Sequence, residues 1–236
     1  MELLRYFEKG VLFMKILEKA FTLAEVILVI AIVGVVAILT IANATNEGDE
    51  AERVAQLRRT QHILEQAMAQ AIDEKGAIRY WQRVDDTKIQ AIHDNFIKKM
   101  KLSRDCEMTG TQCWKDGDIR ANENTGYMKA ILSNGASIAV EDNYNMSIYV
   151  DVNGPNKGNS TIGVDIFQFI VRDVTYGGSI KAAGFDLETT AEFRQECGND
   201  RSYCTAWVIK NGNMDYLKCL DSLSWTGENG KTTCSK

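Results

Sequence analysis

The chain has 236 residues, of which 45% are hydrophobic and 25% are charged, and its net charge is −5. This composition is typical of a folded protein and excludes a largely disordered chain. The acidic balance also gives no reason to expect nucleic-acid binding, because that function needs a basic surface.

The chain begins with a short basic segment that is followed by a long apolar one. Residues 1–20 carry a net charge of +1, and residues 26–46 contain no charged side chain. Twenty-one helical residues span about 31 Å, close to the hydrocarbon thickness of a bilayer. Basic flanks stay in the cytoplasm, so the sequence predicts one membrane-spanning helix with the acidic remainder outside.

The start of the apolar segment carries a specific motif. The residues "KAFTLAE" (19–25), followed by the apolar run, resemble the processing site of type IV prepilins and type II secretion pseudopilins. The resemblance covers about the first fifth of the chain. It implies cleavage between Ala20 and Phe21, N-methylation of Phe21, and a role in assembly for Glu25. Ala20 stands where the family usually has Gly.

The same resemblance implies a division of the chain into three parts. Residues 1–20 would be a leader peptide, for which Met14 is an alternative functional start. Residues 21–44 would be a transmembrane and assembly helix, and residues 45–236 would be an external head. The implied fold is α+β and pilin-like. In such a fold a long N-terminal helix packs on an antiparallel sheet and disulfides close the C-terminal region.

The implied function is structural and not enzymatic. The chain would be a subunit of a type IV pilus or a type II secretion pseudopilus, and the size and six cysteines of the head favour a minor one. The implied partners are other pilin or pseudopilin subunits, the prepilin peptidase and methyltransferase, the inner-membrane assembly platform and membrane lipid. The protein would lie in the bacterial cytoplasmic membrane first and in an extracytoplasmic filament afterwards.

The position of Glu25 also has a physical explanation. A carboxylate at the centre of a membrane helix costs about 2.5–3.5 kcal/mol. Once a leader is removed, Glu25 would lie one turn from the new amino terminus. In a filament it could pair with the Phe21 ammonium of a neighbouring subunit. The alternative is a charge tolerated at the edge of a membrane helix.

Other interpretations of the N-terminal segment stay open. "IANA", ending at Ala44, has the small-x-small form of an ordinary signal-peptidase site, and cleavage there would release a soluble protein from Thr45. A membrane-tethered or secreted binding domain that forms no filament is the main alternative function. An enzyme ranks third, because the sequence has no G-x-S-x-G, P-loop or H-E-x-x-H motif. His62 and His93 have no obvious carboxylate or nucleophile partner.

Two helices are predicted after the apolar segment. Residues 50–72 have a helical period that either continues the membrane helix or follows a break at residues 43–48. Its predicted buried face consists of Val54, Leu57, Leu64, Met68 and Ala71, with Gln61 as a polar exception. A second amphipathic helix is predicted over 86–101, with Asp85 or Asp86 as its cap and Ile89, Ile92, Phe96, Ile97 and Met100 on its apolar face.

The period then changes to that of strands. Short β-branched and aromatic runs, separated by Asn-Gly and Gly-rich turns, predict an antiparallel sheet over about residues 126–185. A short helix near 187–196 and one more strand at "CTAWVIKNG" (204–212) complete the prediction.

Residues 151–165, "DVNGPNKGNSTIGVD", form a candidate calcium site. Asp151, Asn153, Asn156 and Asp165 offer oxygen ligands of the kind that calcium binds. The segment departs from the EF-hand pattern, because Pro155 replaces a ligand and Asn156 stands where Gly is needed. A polar hairpin connection is the alternative, and no other cofactor is expected.

All six cysteines follow the apolar segment. An even number confined to the exported part indicates disulfides formed in an oxidising compartment. No CxxC pair is present, so a zinc site is not expected. Two pairs repeat one spacing, which favours Cys106–Cys113 and Cys197–Cys204 among the many pairings that six cysteines allow and leaves Cys219 with Cys234.

Overall fold

A computed structural model describes residues 23–81, 88–123, 126–142, 146–172, 177–227 and 231–234 of the chain. The side chains of residues 25, 34–47 and 88 lie outside this description. The chain divides into two compact units, Met1–Gly48 and Asp49–Lys236. The core described below belongs to the second unit, whose buried apolar side chains begin at Val54.

The first element in the described part of the chain is helix α1, Leu23–Lys75. Its helical backbone continues through residues 43–48, where the sequence left a break open. The predicted buried face of its second part is confirmed, since Val54, Leu57, Leu64, Met68 and Ala71 are all at most 6% exposed. The buried polar residue on this face is Thr60, not Gln61. The Thr60 hydroxyl donates to the Gln56 carbonyl oxygen at 2.9 Å and accepts from Asn134 Nδ2 at 2.9 Å.

In the described part of the chain, no helix is both long enough and apolar enough to cross a membrane. The predicted span, residues 26–46, falls largely on positions whose side chains are outside that description.

The second predicted helix ends earlier than expected. Helix α2, Lys88–Asn95, is followed by a 3-10 turn at Ile97–Lys99. The chain becomes extended at Met100, with φ −83° and ψ 151°, and enters a strand that the sequence analysis missed. All five apolar residues predicted for this helix are buried, so its apolar face is confirmed, although its predicted end at residue 101 was wrong. The proposed caps Asp85 and Asp86 lie outside the described residues.

The predicted antiparallel sheet is confirmed and gains one strand at its start. Six strands follow one another in sequential order, each antiparallel to the next. They are β1 Leu102–Glu107, β2 Tyr127–Leu132, β3 Ser137–Glu141, β4 Ser147–Asp151, β5 Ile166–Arg172 and β6 Ser179–Ala182. Gly135, in the Asn-Gly turn between β2 and β3, has φ +91°, a conformation that glycine adopts without a steric penalty.

Side-chain alternation gives the sheet two different faces. One face packs with α1 and α2 into the main core through residues that include Met128, Ala130, Ile138, Val140, Ile148, Val150, Phe167 and Phe169. The other face carries Lys129 and Ala139, and it is partly covered by the loop that leads from β1 to β2. Trp114 and Ala121 of that loop pack with Ala139 and Ile166 in a second, smaller cluster.

Strand β1 at one edge of the sheet is irregular. Its pairing with β2 shifts register between Leu102 and Arg104 and again between Asp105 and Glu107. Glu107 has φ +49°, a left-handed conformation that is uncommon for a residue other than glycine. The strand is therefore bent at two places along its short length.

The described residues of the C-terminal region form three short α-helices. Helix α3, Thr190–Asn199, confirms the helix predicted near 187–196 and begins three residues later than predicted. Thr189 and Glu192 form a capping box, in which each side chain accepts a hydrogen bond from the backbone nitrogen of the other residue. Helices α4, Thr205–Asn211, and α5, Tyr216–Cys219, follow it.

Helix α4 shows that the strand predicted at 204–212 was wrong. The Trp-Val-Ile run that suggested a strand instead provides apolar side chains for burial, with Trp207 and Val208 fully buried. Trp207 stacks on Phe193 of α3 at a ring-centroid distance of 4.7 Å. Gly212, the last residue of the predicted strand, adopts φ +72° and ends the helix as a left-handed cap.

The three predicted disulfides are confirmed. They are Cys106–Cys113, Cys197–Cys204 and Cys219–Cys234, and no free cysteine occurs among the described residues.

Candidate functional site

The first turns of α1 expose an apolar surface, defined here as the large side chains of residues 23–33. Eight of them are between 43% and 79% exposed: Leu23, Val26, Ile27, Leu28, Val29, Ile30, Ile32 and Val33. Successive helical residues are separated by about 100°, so the five consecutive positions 26–30 point to all sides of the helix. A helix that is apolar all round is typical of a buried segment or a membrane span, not of a helix that faces water.

The predicted processing residues stand close to this apolar surface in the sequence. Ala20 and Phe21 lie outside the described residues, and Glu25 lies on α1 with a side chain that is not described. Their roles in cleavage, methylation and assembly stay predictions.

The candidate calcium residues are only partly brought together. Asp151, at the end of β4, accepts hydrogen bonds from Ser160 Oγ at 2.9 Å and from the Asn153 backbone nitrogen at 3.0 Å. Asp165 accepts from Asn153 Nδ2 at 2.6 Å and from the Asn159 backbone nitrogen at 3.1 Å. Both carboxylates are therefore tied into one hydrogen-bonded loop.

That loop is also linked to α1. The Arg53 Nε atom lies 3.5 Å from Asp165 Oδ1, and the Asp165 side chain is 3% exposed. Asn156, by contrast, lies on the exposed side of the loop. Calcium binds about six to eight oxygens, whereas both carboxylate oxygens of Asp151 and Asp165 already accept protein donors. Within the described residues, no three His, Cys, Asp or Glu side chains are grouped as a metal site requires. The contacts thus favour the polar hairpin connection, and calcium binding stays untested.

Burial changes the ionisation of Asp151. Its side chain is fully buried, and this burial, with the nearby charge of Asp165 as a further cause, raises the pKa of the Asp151 carboxyl to about 6. The hydrogen bonds from Ser160 and Asn153 act in the opposite direction and do not compensate for the lost hydration.

The two histidines differ, and one has partners that the sequence analysis did not identify. His93 on α2 is fully buried, and its Nε2 atom lies 2.8 Å from Asp105 Oδ2 on β1. Its Nδ1 atom lies 3.3 Å from Asp94 Oδ1. His62 is exposed, with its Nε2 atom 3.0 Å from Gln66 Nε2. Asp105 belongs to the missed strand, so no sequence spacing could have indicated this pair. His93 thus links α2 to the edge of the sheet.

Comparison with family models, with curated proteins and with solved structures gave no match to this chain.

Proposed function

We propose that the protein is a pilin-like subunit, with an external α+β head on an N-terminal helix that is held in a membrane before assembly and packs against other subunits afterwards. The observation that carries this proposal is the apolar surface of residues 23–33, whose large side chains are exposed on all sides of α1. Covering so much apolar surface is strongly favourable, at about 25 cal/mol per Å². Lipid and then neighbouring helices would both cover it.

Two further features support the proposal. The motif at 19–25, which resembles a prepilin processing site, overlaps the start of this surface. The second unit has its own core, a six-stranded antiparallel sheet and three disulfides, as expected for a head that folds in an oxidising compartment. On this proposal the head belongs to a minor subunit of a pilus or secretion pseudopilus.

The mature amino terminus tests the proposal. Intact mass and peptide sequencing of the protein from its native membrane should show a chain that begins with N-methyl-Phe21. The apolar surface must survive processing if it anchors and assembles the protein. A mature chain that begins at Thr45 would lack this surface and would be a secreted protein, which contradicts the proposal.

A further inference from the structure

The buried ring of His93 has polar partners at both of its nitrogen atoms. Its Nε2 atom lies 2.8 Å from Asp105 Oδ2 on β1. Its Nδ1 atom lies 3.2 Å from Gln90 Nε2 and 3.3 Å from Asp94 Oδ1, both on α2. The Gln90 Nε2 atom is itself 3.3 Å from Asp94 Oδ1. These last three atoms therefore form a triangle in which each is within hydrogen-bonding reach of the other two.

The triangle provides hydrogen bonds for both the neutral and the charged ring. In the neutral ring, Nε2–H donates to Asp105 and Nδ1 accepts from the Gln90 amide. In the charged ring both nitrogens are donors, so Nε2–H donates to Asp105 and Nδ1–H donates to Asp94. The Gln90 amide then donates to Asp94 instead of His93. The buried ring can thus gain or lose a proton without leaving either nitrogen unpaired, which would be costly.

The two carboxylates beside the ring remain in contact with water. The side chains of Asp94 and Asp105 are 47% and 31% exposed. The hydrogen bond from Lys98 Nζ at 2.6 Å, with that from His93 as a smaller cause, holds the pKa of the Asp94 carboxyl below its usual range. Glu107, at the end of β1, adds a negative charge that acts on Lys98. A charged ring would therefore lie between charged carboxylates, which offsets its loss of hydration.

The cations on the surrounding elements are held by other partners. Lys98 pairs with Asp94 and is 53% exposed, so water screens its repulsion of a charged ring. Arg104 of β1 donates to Gln112 in the following loop at 2.6 Å. Lys129 of β2 lies on the face of the sheet that α2 does not cover. Among the described residues, the charges that face the ring are therefore mainly negative.

We propose that His93 is a proton switch that holds strand β1 more firmly to α2 as the pH falls. Histidine changes its charge between about pH 5 and pH 8. The charged ring forms an ion pair with Asp105, whereas the neutral ring forms only a hydrogen bond to it. Because β1 is an edge strand with irregular pairing to β2, its attachment depends on such contacts. Opening of β1 should therefore become rarer as the ring gains its proton.

Nuclear magnetic resonance of the full chain, purified in detergent with isotope-labelled histidine, tests the two arrangements. The chain has two histidines, so the variant His62→Gln leaves only the ring signals of His93. At about pH 8 the ring should be neutral with its proton on Nε2, and at about pH 5 both nitrogens should carry protons while the three disulfides stay intact. A neutral ring with its proton on Nδ1, or a ring that stays neutral at the lower pH, would overturn the proposal.

Hydrogen exchange of the peptide that contains β1 measures the attachment itself. After correction for the chemical exchange rate, β1 should open at least about fivefold less often at pH 5 than at pH 8. Asp94→Asn is the decisive variant, because it removes the carboxylate that the charged ring needs and keeps both partners of the neutral ring. It should match wild type at pH 8 and lose most of the gain at pH 5.

The matched control is His62→Gln, which replaces the exposed histidine of α1 and should keep the wild-type gain. The comparison between variants is needed because Asp151, whose carboxyl has a pKa of about 6, also titrates in this range. Equal opening of wild-type β1 at the two pH values would contradict the switch, and so would an undiminished gain in Asp94→Asn. None of these outcomes depends on processing or filament assembly, so the test is independent of the proposed function.

Discussion

At Asp151, burial disfavours the charged form of the side chain. The pKa of its carboxyl is about 6 in the folded protein, compared with 3.8 for an ordinary aspartate. Between these two values the folded state binds more protons than the unfolded state, so stability falls as the pH rises through this range. Below the range the penalty is absent, and above it the penalty is complete at roughly 2–3 kcal/mol.

Asp151→Asn should therefore remove a pH-dependent penalty. Relative to wild type, the variant should gain about 2–3 kcal/mol in the free energy of unfolding between pH 4 and pH 7. Urea unfolding at several pH values measures this gain. Asp221→Asn, at an exposed position, is the matched control and should show no such trend. A wild-type-to-variant difference that is the same at pH 4 and pH 7 would contradict the prediction.

Glu25→Ala separates a filament subunit from a simple membrane anchor. In an anchor, the change removes a costly charge, so membrane retention should be unchanged or improved. In a filament, it leaves the Phe21 ammonium of a neighbouring subunit unpaired among packed helices, which costs about 3–5 kcal/mol at each contact. The variant should accumulate in the membrane, processed but not assembled, as measured by fractionation and filament purification.

The control for this variant is Glu52→Ala, which removes an exposed carboxylate from the same helix in the second unit. It should assemble like wild type. Incorporation of Glu25→Ala into filaments at the wild-type level would show that this carboxylate has no role in assembly.

At the scale of elements, two disulfides with the same spacing differ in their surroundings. Cys197 and Cys204 are both fully buried in the main core, whereas Cys106 lies in the edge strand β1 and is partly exposed, although its partner Cys113 is buried. Each bridge closes a loop with a sequence separation of 7. Because chain-entropy effects depend on loop length, they should be nearly equal for the two bridges.

Replacing both cysteines of a pair with alanine should therefore reveal the contribution of burial. Loss of Cys197–Cys204 should lower the free energy of unfolding by about 2–5 kcal/mol, and loss of Cys106–Cys113 should cost less. Urea unfolding of the two double variants, with tryptophan fluorescence as the signal, gives the comparison. Equal losses would show that loop closure alone determines the stabilisation.

Some elements of the fold are determined by short sequence patterns, and others by contacts between distant parts of the chain. The buried face of α1 and strands β2 to β6 were predictable, because helical periodicity, alternation and Asn-Gly turns act over a few residues. Strand β1 was not, since its "LSRDCE" segment has neither alternation nor β-branched residues, and its pairing with β2 decides its conformation. Helix α4 was missed because its Trp and Val residues, which are also common in strands, are present here for burial against α3.

The candidate site was predictable to a similar extent. The motif at 19–25 and the apolar run are local signals, and so is the choice of Asp151 and Asp165 as polar loop residues. The contacts between Arg53 and Asp165 and between His93 and Asp105 join separate elements. They follow from the packing of the whole second unit, which no short pattern encodes.

At the scale of the whole molecule, the second unit should fold without the first. Its core and its three disulfides all lie within Asp49–Lys236. A fragment that begins at Asp49, made in an oxidising compartment, should be monomeric, contain no free thiol and unfold in one cooperative transition. Circular dichroism in the near ultraviolet, alkylation without reductant and size-exclusion chromatography test this. Labelling of two or more cysteines would contradict it.

The irregular edge strand has a consequence for how copies of this protein can meet. The open edge of a sheet is a template on which another chain can add a strand, and an unprotected edge leads to aggregation. The two register shifts in β1 bend that edge, and the charged side chains of Arg104, Asp105 and Glu107 line it. These features oppose strand-by-strand polymerisation through β1. On the proposed function, heads that a filament holds close together would therefore be protected from joining their sheets edge to edge at β1.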